Sequence, residues 1–233
     1  MKETMKQKLV VLSGSGISAE SGLSTFRDAG GLWEGYDVMV VASPDGWREN
    51  PKLVLNFYNE RRRAAKHAKP NLAHTLLAKL EAYYNIVVVT QNVDNLHEQG
   101  GSSKVIHLHG ELIKSRSTAR SSLVYDIEGT ELNWGDTCEL GAQLRPHIVW
   151  FGEMVPLLET AADYVRKADI LIIIGTSLLV YPAASLIHYA PRHCYKYIID
   201  PKMPNIANDD NLFKIEKPAT SGMQDLYDLL EKG

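Results

Sequence analysis

Two histidines separated by one residue stand at the end of a short apolar segment. They are His107 and His109, and Gly110 follows them. Imidazole titrates near neutral pH, so either side chain could act as a general base, and a pair at this spacing could also bind a metal ion. The alternative is that a histidine at the end of a strand only makes hydrogen bonds and has no catalytic role. Because a glycine follows it at an expected cleft, His109 is the better candidate for a catalytic base.

A polar segment, Thr90–His97, follows another apolar segment and has the sequence TQNVDNLH. It offers the side-chain amides of Gln91 and Asn92 and the carboxylate of Asp94 as hydrogen-bonding groups. Asparagine and aspartate are also frequent in turns and at helix caps. Directly after a buried strand, ligand binding and capping are equally good interpretations of these residues.

A glycine-rich turn follows the first apolar segment, Leu9–Leu12. Within it, Gly14, Gly16 and Ala19 match the dinucleotide-binding fingerprint G-x-G-x-x-G/A, although an ordinary strand–turn–helix corner can have the same pattern. A conventional dehydrogenase would then have a second strand ending in an acidic residue about 20 positions later. Here the chain has a glycine-rich loop, 26–33, instead. The turn therefore predicts a nucleotide site but does not favour hydride transfer.

A similar arrangement recurs after the most apolar segment of the chain. Gly175, Thr176 and Ser177 follow it and could supply a second set of donors for phosphate or ribose. The alternative is a plain helix start that Ser177 caps.

A phenol and a guanidinium occur together on a long helical segment. Tyr58 and Arg61 are three positions apart and so share one face of the helix, where together they would suit a carboxylate. Arg61 begins a run of three arginines, which by itself is more often a solvent-exposed face.

The elements that must position these residues alternate between strands and helices. The apolar segments predicted as strands are Leu9–Leu12, Ile86–Val89, Val105–Leu108, Ile148–Phe151, Ile170–Ile174 and Tyr195–Ile199. The segments with helical patterns are Pro51–His67, Leu72–Tyr83, Leu157–Lys167, Ala183–Tyr189 and Ser221–Leu230. This alternation predicts an α/β fold with a doubly wound, Rossmann-like parallel sheet. Ligands of such sheets bind at the carboxyl ends of the strands, where the polar segments stand.

Two insertions interrupt the alternation, and we expect them to pair into a smaller second domain. The predicted Rossmann-like nucleotide-binding domain comprises residues 1–32, 70–110 and 147–233, and the small domain comprises residues 33–69 and 111–146. The cleft between the two domains is the expected site.

Composition limits the possible partners. The chain has 233 residues, 45% hydrophobic content and a net charge of −3, which disfavours a surface that coats nucleic acid. No apolar stretch approaches the ~20 residues that span a bilayer, and the apolar run near the N-terminus is too short for a signal peptide. The two cysteines, Cys138 and Cys194, give no disulfide framework. We therefore expect a cytoplasmic monomer that binds neither nucleic acid nor membrane.

Five segments, in this order along the chain, resemble the sirtuins, the NAD-dependent protein lysine deacylases. They are Gly14–Arg27 (GSGISAESGLSTFR), Thr90–His97, His109–Gly110, His147–Glu153 (HIVWFGE) and Gly175–Leu178 (GTSL). The pair Tyr58 and Arg61 further resembles the bacterial class III-like members, which remove succinyl and malonyl as well as acetyl groups.

The resemblance implies that NAD contacts three groups of residues. The diphosphate and its ribose would lie against Gly14, Ser15, Gly16, Phe26, Arg27 and Trp33. The nicotinamide and its ribose would lie against Gln91, Asn92 and Asp94. The adenosine half would lie against Gly175, Thr176, Ser177 and Asp200, the last of which stands where the family often has asparagine.

The resemblance also implies a reaction. The acyl oxygen of a modified lysine attacks C1′ of the nicotinamide ribose and nicotinamide leaves. His109 and Asn92 would be the catalytic residues, with His109 activating a ribose hydroxyl, and the products would be lysine and O-acyl-ADP-ribose. The acylated lysine of a protein substrate would occupy a channel that the peptide enters by strand addition, lined by Val149, Trp150, Phe151 and Gly152. Tyr58 and Arg61 would bind the acyl group.

One departure from the family concerns metal. Sirtuins usually hold a structural zinc with two pairs of cysteines, but the segment 111–145 contains only Cys138, and Ser117 stands where a first cysteine is expected. We therefore predict that the structural zinc is absent. The small module would then be held by packing of Leu123, Val124, Tyr125, Ile127, Leu132 and Trp134.

Two other functions remain open from the sequence. One is a non-catalytic sensor of NAD or ADP-ribose, which the missing zinc ligands favour and the intact His109, Asn92 and Asp94 disfavour. The other is a protein ADP-ribosyltransferase that uses the same glycosyl chemistry.

Overall fold

The computed structural model describes residues 6–25, 32–207 and 209–231. Its strands are β1 (Lys8–Ser13), β2 (Leu32–Trp33), β3 (Tyr36–Asp37), β4 (Asn85–Thr90), β5 (Val105–His107), β6 (Gly110–Ser117), β7 (Val124–Asp126), β8 (Leu144–Ile148), β9 (Ile170–Ile174), β10 (Tyr195–Ile199) and β11 (Leu212–Ile215). Its α-helices are α1 (Gly16–Ala19), α2 (Val38–Val41), α3 (Pro44–Glu49), α4 (Pro51–His67), α5 (Leu72–Lys79), α6 (Leu96–Gln99), α7 (Leu158–Val165) and α8 (Ala219–Leu230). The segments Leu80–Ala82 and Ala183–Tyr189 are 3₁₀-helical. Within the described ranges, no helix has both the length and the apolar character needed to cross a bilayer.

Six strands form one sheet in the order β11-β10-β9-β1-β4-β5. Every neighbouring pair runs parallel. After β1 the chain adds strands on one side of it as far as β5, and later strands are added on the other side from β9. The strand order thus reverses between β1 and β9, the position at which doubly wound sheets bind ligands. The predicted Rossmann-like α/β fold is confirmed.

The central strands are buried on both faces. Leu9 and Val11 of β1 lie in an apolar cluster with residues of α5 and α8, whereas Val10 and Leu12 lie in a second cluster with residues of α7 and the 3₁₀ segment Ala183–Tyr189. Successive side chains of a strand point to opposite faces, so a continuous apolar run is what a sheet covered on both sides requires.

Five of the six predicted strands coincide with strands of this sheet, to within one residue at either end. The prediction of a strand at Ile148–Phe151 is wrong. The strand there is β8, which ends at Ile148 and pairs antiparallel with β6 in a second sheet. The edge strand β11 was not predicted because its side chains are half-buried or exposed, so it lacks a long apolar run.

The second sheet has the order β7-β6-β8 and lies in the predicted small-domain insertion. Helix α4, from the other insertion, contacts both β6 and β8. Asn50 caps α4 and Pro51 begins it, with the Asn50 side chain accepting a hydrogen bond from the Leu53 N–H. The contact between α4 and the sheet agrees with the pairing of the two insertions, and the domain boundaries stay a prediction.

Buried polar side chains of α4 join the two insertions. Arg62 donates from Nε to the main-chain oxygen of Leu112 and from Nη1 to that of Thr130, each over 2.7 Å. Asn59 accepts the N–H of Leu132 and donates to its oxygen. Arg62 is only 2% exposed, so its hydrogen bonds are made away from water, where an unpaired partner would be costly.

Of the six apolar side chains expected to pack the small module, one is buried, three are half-buried and two are exposed. Leu132 is buried, but Trp134 is 54% exposed and Val124 is 38% exposed. At the end of β6, Cys138 Sγ also donates to Ser117 Oγ over 3.2 Å, so a hydrogen bond adds to the packing of the module.

Candidate active site

Two glycine turns meet at the point where the strand order reverses. The Gly16 N–H donates to the oxygen of Gly175 over 2.8 Å, and the Gly14 N–H donates to Ile174 over 3.0 Å. A Cβ atom on Gly175 would lie 2.2 Å from the Ile17 nitrogen, and its φ of +63° also favours glycine. The turns after β1 and β9 therefore pack backbone against backbone.

His109 lies just beyond β5 with one ring nitrogen engaged. Its Nδ1 is 3.0 Å from the main-chain oxygen of Gln91. A carbonyl oxygen can only accept, so Nδ1 carries the proton and Nε2 keeps its lone pair. Burial lowers the pKa of His109, against a smaller opposite effect of the Gln91 hydrogen bond. At neutral pH the side chain is therefore an uncharged base with a fixed tautomer.

The residue after His109 must be glycine. Gly110 has a φ of +84°, and a Cβ atom there would lie 2.0 Å from the oxygen of His147. This close approach brings the chain around His109 against the segment after β8, where the Val149 N–H donates to the oxygen of His109 over 2.9 Å. The candidate base and the candidate lysine-channel segment are thus joined through the backbone.

The polar segment after β4 holds its side chains in a buried network. Asn92 donates from Nδ2 to Ser18 Oγ over 3.2 Å, and Ser18 Oγ donates to Asp94 Oδ2 over 3.1 Å. The Leu96 N–H donates to the other oxygen of Asp94. Burial raises the pKa of Asp94, against the lowering effects of the hydrogen bonds from Leu96 and Ser18. The network fixes Asn92 and Asp94 against the helix that follows the first glycine turn.

Ser18 is therefore a site residue whose role the sequence analysis missed. A serine in the first turn of a helix is usually a cap, but the Ser18 hydroxyl is buried between Asn92 and Asp94. Its position directly after the fingerprint glycines was the one signal that could have indicated a role in the site.

His107 differs from His109 because both its ring nitrogens face acceptors. Nδ1 is 3.1 Å from the oxygen of Asn92, and Nε2 is 2.8 Å from Glu98 Oε1. Burial lowers the pKa of His107, but the hydrogen bond and the charge of Glu98 outweigh it, so the net effect is a raised pKa. Both ring nitrogens of His107 are thus engaged, one of them with the Asn92 backbone, and neither is available to a metal. In the described part of the chain, no cluster of potential metal-binding side chains occurs.

The second glycine turn is connected to the segment after β4. Gln91 donates from Nε2 to Thr176 Oγ1 over 3.1 Å, which links the ends of β4 and β9 across β1. Ser177 is half-buried beside Thr176. Asp200 follows β10, is 2% exposed and accepts the N–H of Lys202 over 2.8 Å. These predicted adenosine-site residues all stand at the carboxyl edge of the sheet.

The candidate lysine channel is built around Trp150, which is 2% exposed. Its Nε1 donates to the hydroxyl of Tyr58 over 3.0 Å, and the guanidinium of Arg145 lies 3.2 Å from its ring centre. Val149 is half-buried, whereas Phe151 and Gly152 are exposed.

Two alternate N–H groups of this segment are already used. Val149 donates to His109, and Phe151 donates to Ala42 over 2.9 Å. A peptide that adds as a strand would therefore need other backbone groups of the segment.

Tyr58 and Arg61 have different partners in the structure. Tyr58 is fully buried, its hydroxyl accepts from Trp150, and burial raises its pKa. Arg61 forms an ion pair with Glu34, and burial lowers its pKa. Among the described residues, the phenol and the guanidinium have no shared hydrogen-bond partner, and their joint role in acyl binding stays a prediction.

The loop after the first glycine turn is only partly described. Phe26 and Arg27, predicted to contact the cofactor, lie outside the described residues. Trp33 packs edge-on against Phe57 and Tyr58 of α4, with ring centres 5.1 and 6.1 Å apart. Its predicted contact with NAD stays a prediction.

Comparison with known proteins identifies the family of this chain. The model of the Sir2 family matches residues 14–182. The chain is 56% identical over 220 residues to a protein of Helicobacter pylori strain J99 named NAD-dependent protein deacylase, covering 94% of each chain. It is 53% identical over 229 residues to a protein of the same name from Bacteroides thetaiotaomicron, covering 96% of this chain and 98% of that protein.

A solved structure agrees with the sequence relatives. A crystal structure of a Sir2 homologue in complex with NAD matches with a TM-score of 0.87 and 37% identity, covering 96% of this chain and 89% of that one. The family model spans more than half of the chain, and both sequence relatives match nearly its whole length. The chain therefore belongs to the Sir2 family.

Proposed function

We propose that this chain is an NAD-dependent protein deacylase in which His109 is the general base. The observation that carries the proposal is the Nδ1 hydrogen bond of His109 to the Gln91 oxygen, which leaves Nε2 as the basic atom. This uncharged imidazole stands at the carboxyl edge of a doubly wound sheet, beside the reversal of strand order. The names of the sequence relatives support the same activity.

The donor set around the strand reversal suits NAD. The hydroxyls of two riboses and an amide can be bound by the side-chain hydroxyl, amide and carboxylate groups of Thr176, Ser177, Asn92, Asp94 and Asp200. The packed glycine turns carry no side chains that would obstruct a diphosphate. NAD supplies the glycosidic bond whose cleavage drives transfer of the acyl group.

Within that site we assign roles to residues of this chain. Asn92 and Asp94, oriented by Ser18, hold the ribose and the nicotinamide side. His109 Nε2 accepts a proton from a ribose hydroxyl so that this oxygen becomes a nucleophile. The buried wall of Trp150 excludes water around the acylated lysine. The products are the free lysine and O-acyl-ADP-ribose.

We also propose that the acyl groups include succinyl and malonyl as well as acetyl. Arg61 supports this proposal because its guanidinium, with a side chain 17% exposed, is a partly desolvated cation next to the aromatic wall of α4. A carboxylate at the end of the acyl chain would form a charge-assisted hydrogen bond with it.

Product analysis of the purified protein tests the deacylase. Nicotinamide and O-acyl-ADP-ribose should appear only when NAD and an acyl-lysine peptide are both present. Tight binding of NAD with no products would instead indicate a sensor. Transfer of label from NAD to a protein acceptor, without loss of the acyl group, would indicate an ADP-ribosyltransferase.

A further inference from the structure

Glu34 occupies an unusual position for its residue type. It and Gly35 form the two-residue turn between β2 and β3, with φ values of +52° and +84°. Turns with two left-handed residues favour asparagine, aspartate or glycine at the first position. The turn itself therefore does not account for a glutamate there, and its side chain is the feature to explain.

The hairpin formed by β2 and β3 is packed on helix α4. The rings of Trp33 and Tyr36 lie edge-on against Phe57, with centres 5.1 and 5.5 Å apart. The polar part of the same contact is the ion pair between Glu34 and Arg61. Their side chains are 29% and 17% exposed, so the pair is better shielded from water than an ordinary surface ion pair.

Arg61 is only partly satisfied by this partner. Glu34 bonds Nη1, while Nε is buried and has no hydrogen-bond partner within the described ranges. A guanidinium presents its N–H groups in a fork that a single carboxylate can bind through two bonds. The Arg61 guanidinium can therefore donate hydrogen bonds to a second carboxylate, or to one that is better placed than that of Glu34.

We propose that Glu34 is an internal competitor for the carboxylate of an acidic acyl group at Arg61. This inference rests on the proposed acyl-binding role of Arg61. A succinyl or malonyl chain must displace Glu34 or share the guanidinium with it, and two carboxylates at one cation repel each other. An acetyl group carries no charge and meets no such competition. Glu34 thus sets the preference between acidic and neutral acyl groups.

The variant Glu34→Gln tests this role because it keeps the side-chain size and removes the charge. Glu131→Gln is a matched control, since Glu131 pairs with Arg63 of the same helix across a more exposed contact. Two quantities should be measured for each protein: kcat/KM with NAD, and the peptide Kd without NAD, for otherwise identical succinyl-lysine and acetyl-lysine peptides.

We expect Glu34→Gln to raise the succinyl-to-acetyl ratio of both quantities about three- to ten-fold, and Glu131→Gln to leave it unchanged within about two-fold. In an Arg61→Met background, Glu34→Gln should have no further effect. A ratio that is unchanged or lower in Glu34→Gln overturns the inference. If the wild-type protein turns over neither peptide, the proposed function fails, while the ratio of peptide Kd values still decides the role of Glu34.

Discussion

The Nδ1 atom of His109 donates a hydrogen bond to the main-chain oxygen of Gln91 over 3.0 Å. This contact joins the segments after two neighbouring strands, β5 and β4, and it fixes which nitrogen of the ring is basic. Both nitrogens of His107, two residues earlier, face acceptors, and its pKa is raised by Glu98. The end of β5 therefore presents one histidine with a free basic nitrogen and one whose two nitrogens are both engaged.

The pH dependence of turnover should follow from this contact. Burial lowers the pKa of His109 below its ordinary value of 6.5, with the Gln91 bond acting in the opposite direction. A general base works when it is neutral, so kcat/KM should fall only as the pH drops through a value below 6.5. The pH profile of kcat/KM with an acetyl-lysine peptide measures this directly. An acidic limb centred above 6.5 would contradict the assignment.

The same shift has a consequence for stability. The folded-state pKa of His109 is the lower one, so protonation favours the unfolded chain, and His109 destabilises the fold as the pH falls below 6.5. His107 has the opposite sign: its contribution is present below 6.5 and is lost as the pH rises through its raised folded-state pKa. The pH profile of turnover should therefore be recorded only where unfolding measurements show the protein to be folded.

Arg61→Met should separate acidic from neutral acyl groups. Losing a partly buried charge-assisted bond costs about 1.5–3 kcal/mol, so kcat/KM for a succinyl-lysine peptide should fall roughly ten- to a hundred-fold, with a much smaller loss for the acetyl peptide. Arg63→Met, on the same helix with a side chain 45% exposed, is the matched control. Equal losses on both peptides in Arg61→Met would refute an acyl-binding role.

Gly175→Ala should disrupt the meeting of the two glycine turns. Its Cβ would lie 2.2 Å from the Ile17 nitrogen at a φ of +63°, whereas a Cβ at Gly129, with a φ of +80°, would meet no atom within 4 Å. Both variants carry the cost of a left-handed alanine, roughly 1 kcal/mol, but only Gly175→Ala adds a backbone clash. Urea unfolding should find Gly175→Ala less stable than Gly129→Ala. Equal stability would show that the turns can separate without cost.

We expect that Cys138 does not serve as a metal ligand. We propose that the small module folds without zinc, because Cys138 bonds Ser117 where the family usually has zinc ligands. Metal analysis of protein purified without chelators should find well under one zinc per chain. Cys138→Ser should change the free energy of unfolding by less than about 1 kcal/mol. Stoichiometric zinc that is lost in Cys138→Ser would contradict the proposal.

The sequence predicted the parallel sheet well because its strands are buried on both faces. In a protein of this size, few elements other than a strand covered on both faces can bury a continuous apolar run such as Ile170–Ile174. The same rule failed at Ile148–Phe151, where the apolar character comes from Trp150 packing against Tyr58 and Arg145 and not from strand pairing. A run of four apolar residues does not distinguish these two causes.

Contacts between distant segments were beyond sequence reasoning. The sequence placed Asn92 and Asp94 at the sheet edge, but the hydroxyl that joins them belongs to Ser18 of α1, which follows a different strand. The pairing of Arg61 with Glu34 likewise joins a hairpin to a helix, and nothing in either local pattern indicates the partner. Periodicity describes which face a residue occupies, whereas these contacts depend on how the faces meet.

Removal of the His109 imidazole tests the central claim most directly. Formation of O-acyl-ADP-ribose from NAD and an acetyl-lysine peptide should be compared in the wild type, in His109→Ala and in His188→Ala, a variant at an exposed histidine. Loss of a general base lowers a rate roughly 10²- to 10⁴-fold, so His109→Ala should form O-acyl-ADP-ribose at least ~100-fold more slowly than the wild type while it still binds NAD. His188→Ala should match the wild type. Full turnover by His109→Ala would contradict the account.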